Sequence, residues 1–148
     1  MDMQDDFEQL SGLEFLKRMI ADWHGSAMAN ALDMRLIEVS DGTALFEAHP
    51  SEKFYNPQNR MHGGYAATLI DSAMGCAVQT KMAPGIGFGT IELKVNFVRK
   101  LVAETGRLLC TGTILHYGRA MCTAEAKVHD AAGKLYAHGS GTFLVYPT

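Results

Sequence analysis

The first apolar pattern along the chain is helical. Beyond residue 10, apolar side chains recur at spacings of three and four residues, at Leu13, Leu16, Ile20 and Trp23. Ser11 and Glu14 form a capping-box pattern in front of this stripe, and Gly25 follows it as a stop signal. The pattern predicts a helix over residues 11–24, in which Trp23 belongs either to the core or to the wall of a pocket.

From residue 32 onwards the apolar period changes to two. Residues 32–39 and 43–49 alternate between apolar and polar side chains, and Asp41-Gly42 between them is a typical hairpin turn. A loop over residues 50–61 then leads into a second helix, which runs from residue 63 to about residue 82. This helix is apolar almost all round, so we expect the rest of the fold to enclose it.

Strand-like segments complete the chain, over residues 90–98, 104–115, 120–129 and 134–146. In the first of them, alternation puts Ile91, Leu93, Val95 and Phe97 on one face. A hairpin, one long apolar helix and an antiparallel meander form an α+β arrangement in which the sheet wraps around the helix. The run Gly85-x-Gly-x-Gly89 follows a helix and opens a strand, whereas a dinucleotide-binding loop follows a strand and opens a helix. This order argues against a nucleotide-binding loop at these glycines.

Composition narrows the class of protein. A chain of 148 residues is the size of one domain, here residues 1–148 with residues 1–24 as an N-terminal extension and helix. The net charge of −3 gives no indication of nucleic-acid binding, and no apolar run approaches the roughly 20 residues that span a bilayer. The acidic amino terminus lacks the basic start of a signal peptide, so we expect a cytoplasmic protein without a membrane partner. We expect the three separated cysteines to be buried, reduced thiols.

Candidate chemistry concentrates around the second helix. Asp71 is a lone carboxylate two turns inside an apolar segment, where an ionised acid is unfavourable unless it is hydrogen-bonded or retained for chemistry. Gly63 and Gly64 open the helix, and unpaired N–H groups at a helix start can stabilise an oxyanion. The alternatives are that Asp71 is satisfied structurally and that the two glycines only form a tight turn.

Other reaction centres find little support. The six histidines and three cysteines show no His-x-x-x-His or Cys-x-x-Cys spacing, so we expect no metal site and no bound cofactor. A Gly-x-Ser-x-Gly elbow is also absent from the sequence, which argues against a serine esterase of the α/β-hydrolase type.

The segment from Asn56 to Gly75, with His62-Gly63-Gly64 and Asp71 inside it, resembles the signature of hotdog-fold acyl-CoA thioesterases of the phenylacetate-degradation (PaaI-like) branch. The order of elements is compatible with that family over about residues 25–146. The resemblance implies a six-stranded antiparallel sheet of order 1-2-4-5-6-3 wrapped around one long helix. It also implies that the strand over residues 90–98 lies at an edge of the sheet.

The resemblance further implies roles for individual residues. The amide of Gly63 would polarise the thioester carbonyl, with Gly64 beside it, and Asp71 would act as general base or nucleophile. His62 would lie near the carbonyl, and Asn56 would orient water or substrate. Thr90 falls where related enzymes carry an assisting Ser or Thr, although an ordinary strand threonine is an equal alternative.

The phosphates of coenzyme A would need cations. By position in the family, Arg119 after the Tyr117-Gly118 turn is the first candidate, and Arg99 and Lys100 are weaker ones. Surface charge without a ligand is the alternative for all three cations. Aryl and alkyl acyl groups are both compatible with the sequence.

The sequence thus predicts hydrolysis of acyl-CoA thioesters. The alternatives are a hotdog hydratase or dehydratase acting on enoyl or hydroxyacyl thioesters, and a non-catalytic acyl-CoA-binding protein. Gly63 and Asp71 are separated by about 12 Å along one helix, at 1.5 Å per residue, so a single helix cannot bring both to one thioester. We therefore expect a two-fold homodimer with active sites shared between chains. We also expect two such dimers to assemble into a dimer of dimers.

Overall fold

The computed structural model describes residues 2–147. The helices are α1 (Met3–Gln9), α2 (Gly12–Ala21), α3 (Ala27–Ala31) and α4 (Gly63–Gln79). The strands are β1 (Met34–Ser40), β2 (Thr43–Ala48), β3 (Ile86–Phe97), β4 (Leu108–Tyr117), β5 (Met121–Asp130) and β6 (Leu135–Pro147). Two short 3₁₀ turns lie at Glu52–Phe54 and Ala103–Thr105.

The six strands form one antiparallel sheet in the order β1-β2-β4-β5-β6-β3. This is the predicted order, and β3 lies at an edge as expected. The sheet packs around α4, whose side chains form the centre of the core together with the inward faces of the strands. The predicted α+β hotdog fold is therefore confirmed.

Helix α4 packs unusually close to the middle of the sheet. A Cβ atom at residue 112 on β4 would lie 2.2 Å from the main-chain oxygen of Ala73, so only glycine fits there. Apolar residues of the helix, among them Leu69, Ile70 and Met74, are fully buried. Such burial provides the main stabilisation of the fold, at about 1.5–3 kcal/mol for each large side chain.

The N-terminal helices cover one side of α4. The capping box of α2 is present as predicted: the Ser11 N–H donates to Glu14 Oε2 at 3.1 Å, and the Glu14 N–H donates to Ser11 Oγ at 3.4 Å. The Ser11 hydroxyl also donates to Glu14 Oε2 at 2.6 Å, and this bond, together with that from the Ser11 N–H, lowers the pKa of Glu14. Helix α1 was not predicted, and an ion pair of 2.8 Å between Arg18 and Asp6 joins it to α2. Because α1 is short and its apolar residues are few, its sequence carries no clear helical period.

Several predicted boundaries were wrong. Strand β4 begins at Leu108 rather than 104, because the 3₁₀ turn Ala103–Thr105 and Gly106, with φ +77°, reverse the chain first. Strand β1 begins at Met34 rather than 32, because α3 continues to its cap at Leu32. Strand β3 begins at Ile86 rather than 90, and Gly87 and Gly89 pair with β6 inside it.

The predicted alternation along β3 is interrupted at one position. Thr90 pairs with Phe143 and Glu92 pairs with Thr142, which leaves Ile91 as the extra residue of a β-bulge. Ile91 therefore lies outside the ladder of paired residues, and it is 55% exposed. Within residues 2–147, no helix is both long enough and apolar enough to cross a bilayer.

Candidate active site

Asp71 and Thr90 form the first half of the candidate site. Asp71 lies in the middle of α4 and is partly buried, and the Thr90 hydroxyl on β3 donates to its Oδ1 at 2.9 Å. Among residues 2–147, no cation pairs with Asp71. The hydroxyl orients the carboxylate and leaves Oδ2 able to accept a proton or to attack an acyl carbon.

The start of α4 forms the second half. His62 is the N-cap, and its Nδ1 accepts the Gly64 N–H at 2.9 Å, so the neutral ring carries its proton on Nε2. The Gly64 amide is thereby occupied. By contrast, the Gly63 N–H has no acceptor within the described residues 2–147. An unpaired N–H at the positive end of a 17-residue helix is suited to bind an oxyanion.

Asn56 is fixed beside this helix start. Its Oδ1 accepts the Gln58 N–H at 2.9 Å, which leaves its NH₂ group as a donor to a ligand. A cavity of about 310 Å³ is lined by Asn56, His62 and Gly63. The Phe97 ring covers the helix start, since a Cβ atom at residue 63 would lie 3.2 Å from it.

The two halves do not meet within one chain. Asp71 lines a second cavity, of about 300 Å³, which shares no lining residue with the cavity at Gly63. The expected separation along α4, about 12 Å for eight residues, accounts for this. A single copy therefore carries a carboxylate half-site and an oxyanion half-site at two different places along the same helix.

The cavity beside Asp71 is mostly apolar. It lies between α4 and the three N-terminal helices, and its walls include Phe15, Met19, Trp23, Phe46 and Phe88. Trp23 is thus a pocket wall, the second of the two roles left open by the sequence. A helical pattern gives no indication of such a cavity, because the cavity depends on how distant elements pack.

The cation candidates fall into two groups. Arg99 and Lys100 line the cavity at Gly63. Arg119, with Gly118 and Tyr117, lines a third cavity of about 380 Å³ at the opposite end of the fold, where α4 ends. That cavity shares no lining residue with the other two.

The three cysteines are free thiols, as predicted. Cys110 and Cys122 are buried, and Cys76 is partly exposed at the cavity beside Asp71. Burial raises the pKa of Cys76 to about 12, so its thiol stays protonated near neutral pH. Within residues 2–147, no three His, Cys, Asp or Glu side chains converge in the manner of a metal site.

Comparison with known proteins decides the family. Residues 58–137, more than half of the chain, match the family model described as the Thioesterase superfamily. This chain belongs to the thioesterase superfamily. The matched region contains both Gly63 and Asp71, and it ends before the last strand is complete.

Several known proteins resemble this chain over most of its length. Acyl-coenzyme A thioesterase 13 of Homo sapiens is 27% identical over 111 residues, which cover 72% of this chain and 76% of the human protein. A conserved protein of Pseudomonas aeruginosa is 30% identical in a solved structure that covers 84% of this chain and 98% of its own, with a TM-score of 0.77. The PaaI protein of E. coli, from the phenylacetic acid degradation operon, shares the fold with a TM-score of 0.77, at 22% identity over 92% of this chain and 95% of its own.

Proposed function

We propose that this thioesterase hydrolyses acyl-CoA thioesters to a free acid and coenzyme A, at sites shared between two copies of the chain. The carrying observation is the Asp71–Thr90 pair, a partly buried carboxylate that is oriented by a hydroxyl and opens into an apolar cavity. Such a cavity holds the acyl group while the carboxylate stands at its entrance. Membership of the superfamily and the resemblance to an acyl-coenzyme A thioesterase support the same reaction.

The free edge of β3 supports the shared site. β3 runs beside α4 in the opposite direction, so that Thr90 lies next to Asp71 and Phe97 lies next to Gly63. Two β3 edges that pair antiparallel, about a two-fold axis midway between Thr90 and Phe97, bring Thr90 of one copy opposite Phe97 of the other. The carboxylate half-site of each copy then faces the oxyanion half-site of the other.

The exposed side chains of β3 supply a reason for this pairing. Leu93 and Phe97 are exposed, and Phe97 is 60% accessible in the single chain. An apolar edge strand with unpaired N–H and C=O groups is prone to pair with another chain. Pairing with a second copy covers these groups and prevents the edge from pairing with unrelated chains.

In the reaction, the thioester carbonyl points its oxygen at the Gly63 N–H, while Asp71 of the other copy faces the carbonyl carbon. Asp71 either takes a proton from the water that attacks the carbon, or attacks the carbon itself to form an anhydride that water then hydrolyses. Both routes break the C–S bond. The thiolate of coenzyme A leaves and takes up the proton that water has lost. A single turnover in ¹⁸O-water that leaves label in the Asp71 carboxylate identifies attack by Asp71, because the general-base route puts the label only in the product acid.

Arg99 and Lys100 line the cavity at Gly63, as does Arg60. We assign the phosphates of coenzyme A to this side of the site. Binding of the phosphates by Arg119, the first candidate from the sequence, stays a prediction. The double variant Arg99→Ala, Lys100→Ala is expected to raise KM at least tenfold, whereas the control variant Arg119→Ala is expected to leave KM unchanged. The reverse result moves the phosphates to the cavity at Arg119.

A thiol-release assay over a panel of aryl and alkyl acyl-CoAs tests the reaction. Wild-type protein is expected to release thiol, and Asp71→Asn is expected to lower turnover by about 10²- to 10⁴-fold with its fold and acyl-CoA binding retained. Hydration of an enoyl-CoA without thiol release would replace the proposal with a hydratase. Tight acyl-CoA binding without either reaction would replace it with a binding protein.

A further inference from the structure

Gln79, the last residue of α4, is mostly buried, but its amide keeps some accessible surface. It is 7% exposed, and among residues 2–147 its side chain makes no hydrogen bond. Thr80 beside it is equally buried, but its hydroxyl donates to the Ala77 oxygen at 2.7 Å and accepts the Gly42 N–H at 2.8 Å. An apolar acyl chain that reached this amide would displace water from it and leave it unpaired, which is unfavourable.

The side chain of Gln79 faces the cavity beside Asp71. Its backbone side is closed by the start of α2: a Cβ atom at residue 12 would lie 1.7 Å from the main-chain oxygen of Gln79 and 3.1 Å from its Nε2. Only glycine therefore allows α2 to pack here. The cavity is the side from which a ligand can reach the amide.

One face of α4 forms the floor of this cavity. Asp71, Gly75 and Gln79 follow one another at spacings of four residues and all line it. Asp71 and Gln79 are thus about 12 Å apart along the helix axis. The cavity has the reactive carboxylate at one end, the unpaired amide at the other, and mostly apolar walls between them.

From this arrangement, and on the basis of the proposed function, we infer that the cavity selects acyl groups that carry a neutral hydrogen-bonding group, a hydroxyl or a carbonyl, near their far end, where Gln79 binds it. A charged end is disfavoured, because apart from Asp71 the residues that line the cavity are uncharged. A primary amide both donates and accepts, so it pairs with either neutral group.

The size of the cavity sets the length of the acyl group. A space of about 300 Å³ holds about ten non-hydrogen atoms at roughly 30 Å³ each. An extended chain advances roughly 1.2 Å per bond, so about 12 Å corresponds to eight to ten bonds between the reacting carbon and the polar atom. An 8-hydroxyoctanoyl group meets both limits.

The test compares 8-hydroxyoctanoyl-CoA with octanoyl-CoA. In wild-type protein, kcat/KM is expected to be at least about tenfold higher for the hydroxylated substrate, because a site built to bind a hydroxyl rejects the analogue that lacks it. Gln79→Leu replaces the amide with an apolar side chain of similar volume. This variant is expected to prefer octanoyl-CoA about tenfold, so that the ratio of the two kcat/KM values changes about 100-fold. Circular dichroism and thermal melting of Gln79→Leu serve as the control for folding.

A second variant tests the geometry. Gln79→Asn keeps the amide but withdraws it by one methylene, so the preferred substrate is expected to shift to 9-hydroxynonanoyl-CoA. Calorimetric binding of both octanoyl thioesters to Asp71→Asn, with and without Gln79→Leu, provides a readout that does not depend on turnover.

The outcomes separate the two proposals. Thiol release with no preference for the hydroxyl, or with a preference that Gln79→Leu leaves unchanged, overturns the inference and leaves the thioesterase proposal intact. Absence of thiol release together with binding that favours the hydroxyl through Gln79 overturns the hydrolase and supports the inference. Absence of both activity and selective binding overturns both.

Discussion

Two inactive variants should restore each other if the site is shared. Asn56→Ala removes a donor of the oxyanion half-site, and Asp71→Ala removes the carboxylate half-site. The structure places these residues in different cavities of one chain, so a mixed dimer carries both defects in one site and none in the other. Equal random mixing gives half mixed dimers, each with one intact site of two, so about a quarter of wild-type activity should return.

The assay is thiol release after the two variants are unfolded together and refolded, with mixed dimers counted by native mass spectrometry. The matched control mixes Asp71→Ala with Thr90→Ala. These two residues are hydrogen-bonded in the same half-site, so every mixed dimer has one defect in each site and activity should equal the mean of the parents. Recovery in the control, or no recovery in the first mixture despite mixed dimers, would refute the shared geometry.

Further predictions concern single positions. Gly63→Val should lower kcat by about 10²- to 10³-fold with little change in coenzyme A affinity, since a branched side chain blocks the amide; steady-state kinetics checks this. Leu93→Arg should give monomers in sedimentation and abolish turnover, because the exposed edge becomes charged. Gly112→Ala should lower the free energy of unfolding in urea by about 1–3 kcal/mol, because its Cβ meets the backbone of α4. Hydrogen bonds from the Lys134 and Ala132 N–H groups lower the pKa of Asp130 in the folded protein. The stability that these bonds provide is therefore present above the unfolded-state pKa of Asp130 and is lost as the pH falls through its folded-state pKa. Asp130→Asn should flatten the acid side of a profile of Tm against pH.

The fold was predictable because its central signals are local or strongly periodic. The apolar run of α4, the capping box of α2 and the hairpin turn at Asp41-Gly42 each specify one element without reference to the rest of the chain. The strand order came from the family resemblance rather than from any such signal. The errors fall where local signals conflict with tertiary contacts, as at Ile91, whose displacement comes from a bulge that alternation cannot indicate.

The candidate site was predictable in its parts more than in its arrangement. An isolated Asp in an apolar helix and an open helix start are visible in the sequence, and the helical rise alone predicts that they cannot meet in one chain. The cavity walls and the role of Gln79 were missed, because both depend on how α2 packs on the end of α4. The available signal for Gln79 was its place in the sequence, a polar residue eight positions after Asp71 on the same helical face.

The wall that the N-terminal helices form has a consequence for how such a protein can diversify. Helices α1 to α3 end at residue 31, before the region that matches the superfamily model, yet they form one side of the cavity opposite Asp71. The residues proposed to break the thioester and most of those that shape the space beside it are thus encoded in separate stretches. Changes in the first stretch can reshape the compartment while the chemistry-bearing segment stays as it is, so exchange of residues 2–31 between relatives offers a direct route to altered selectivity.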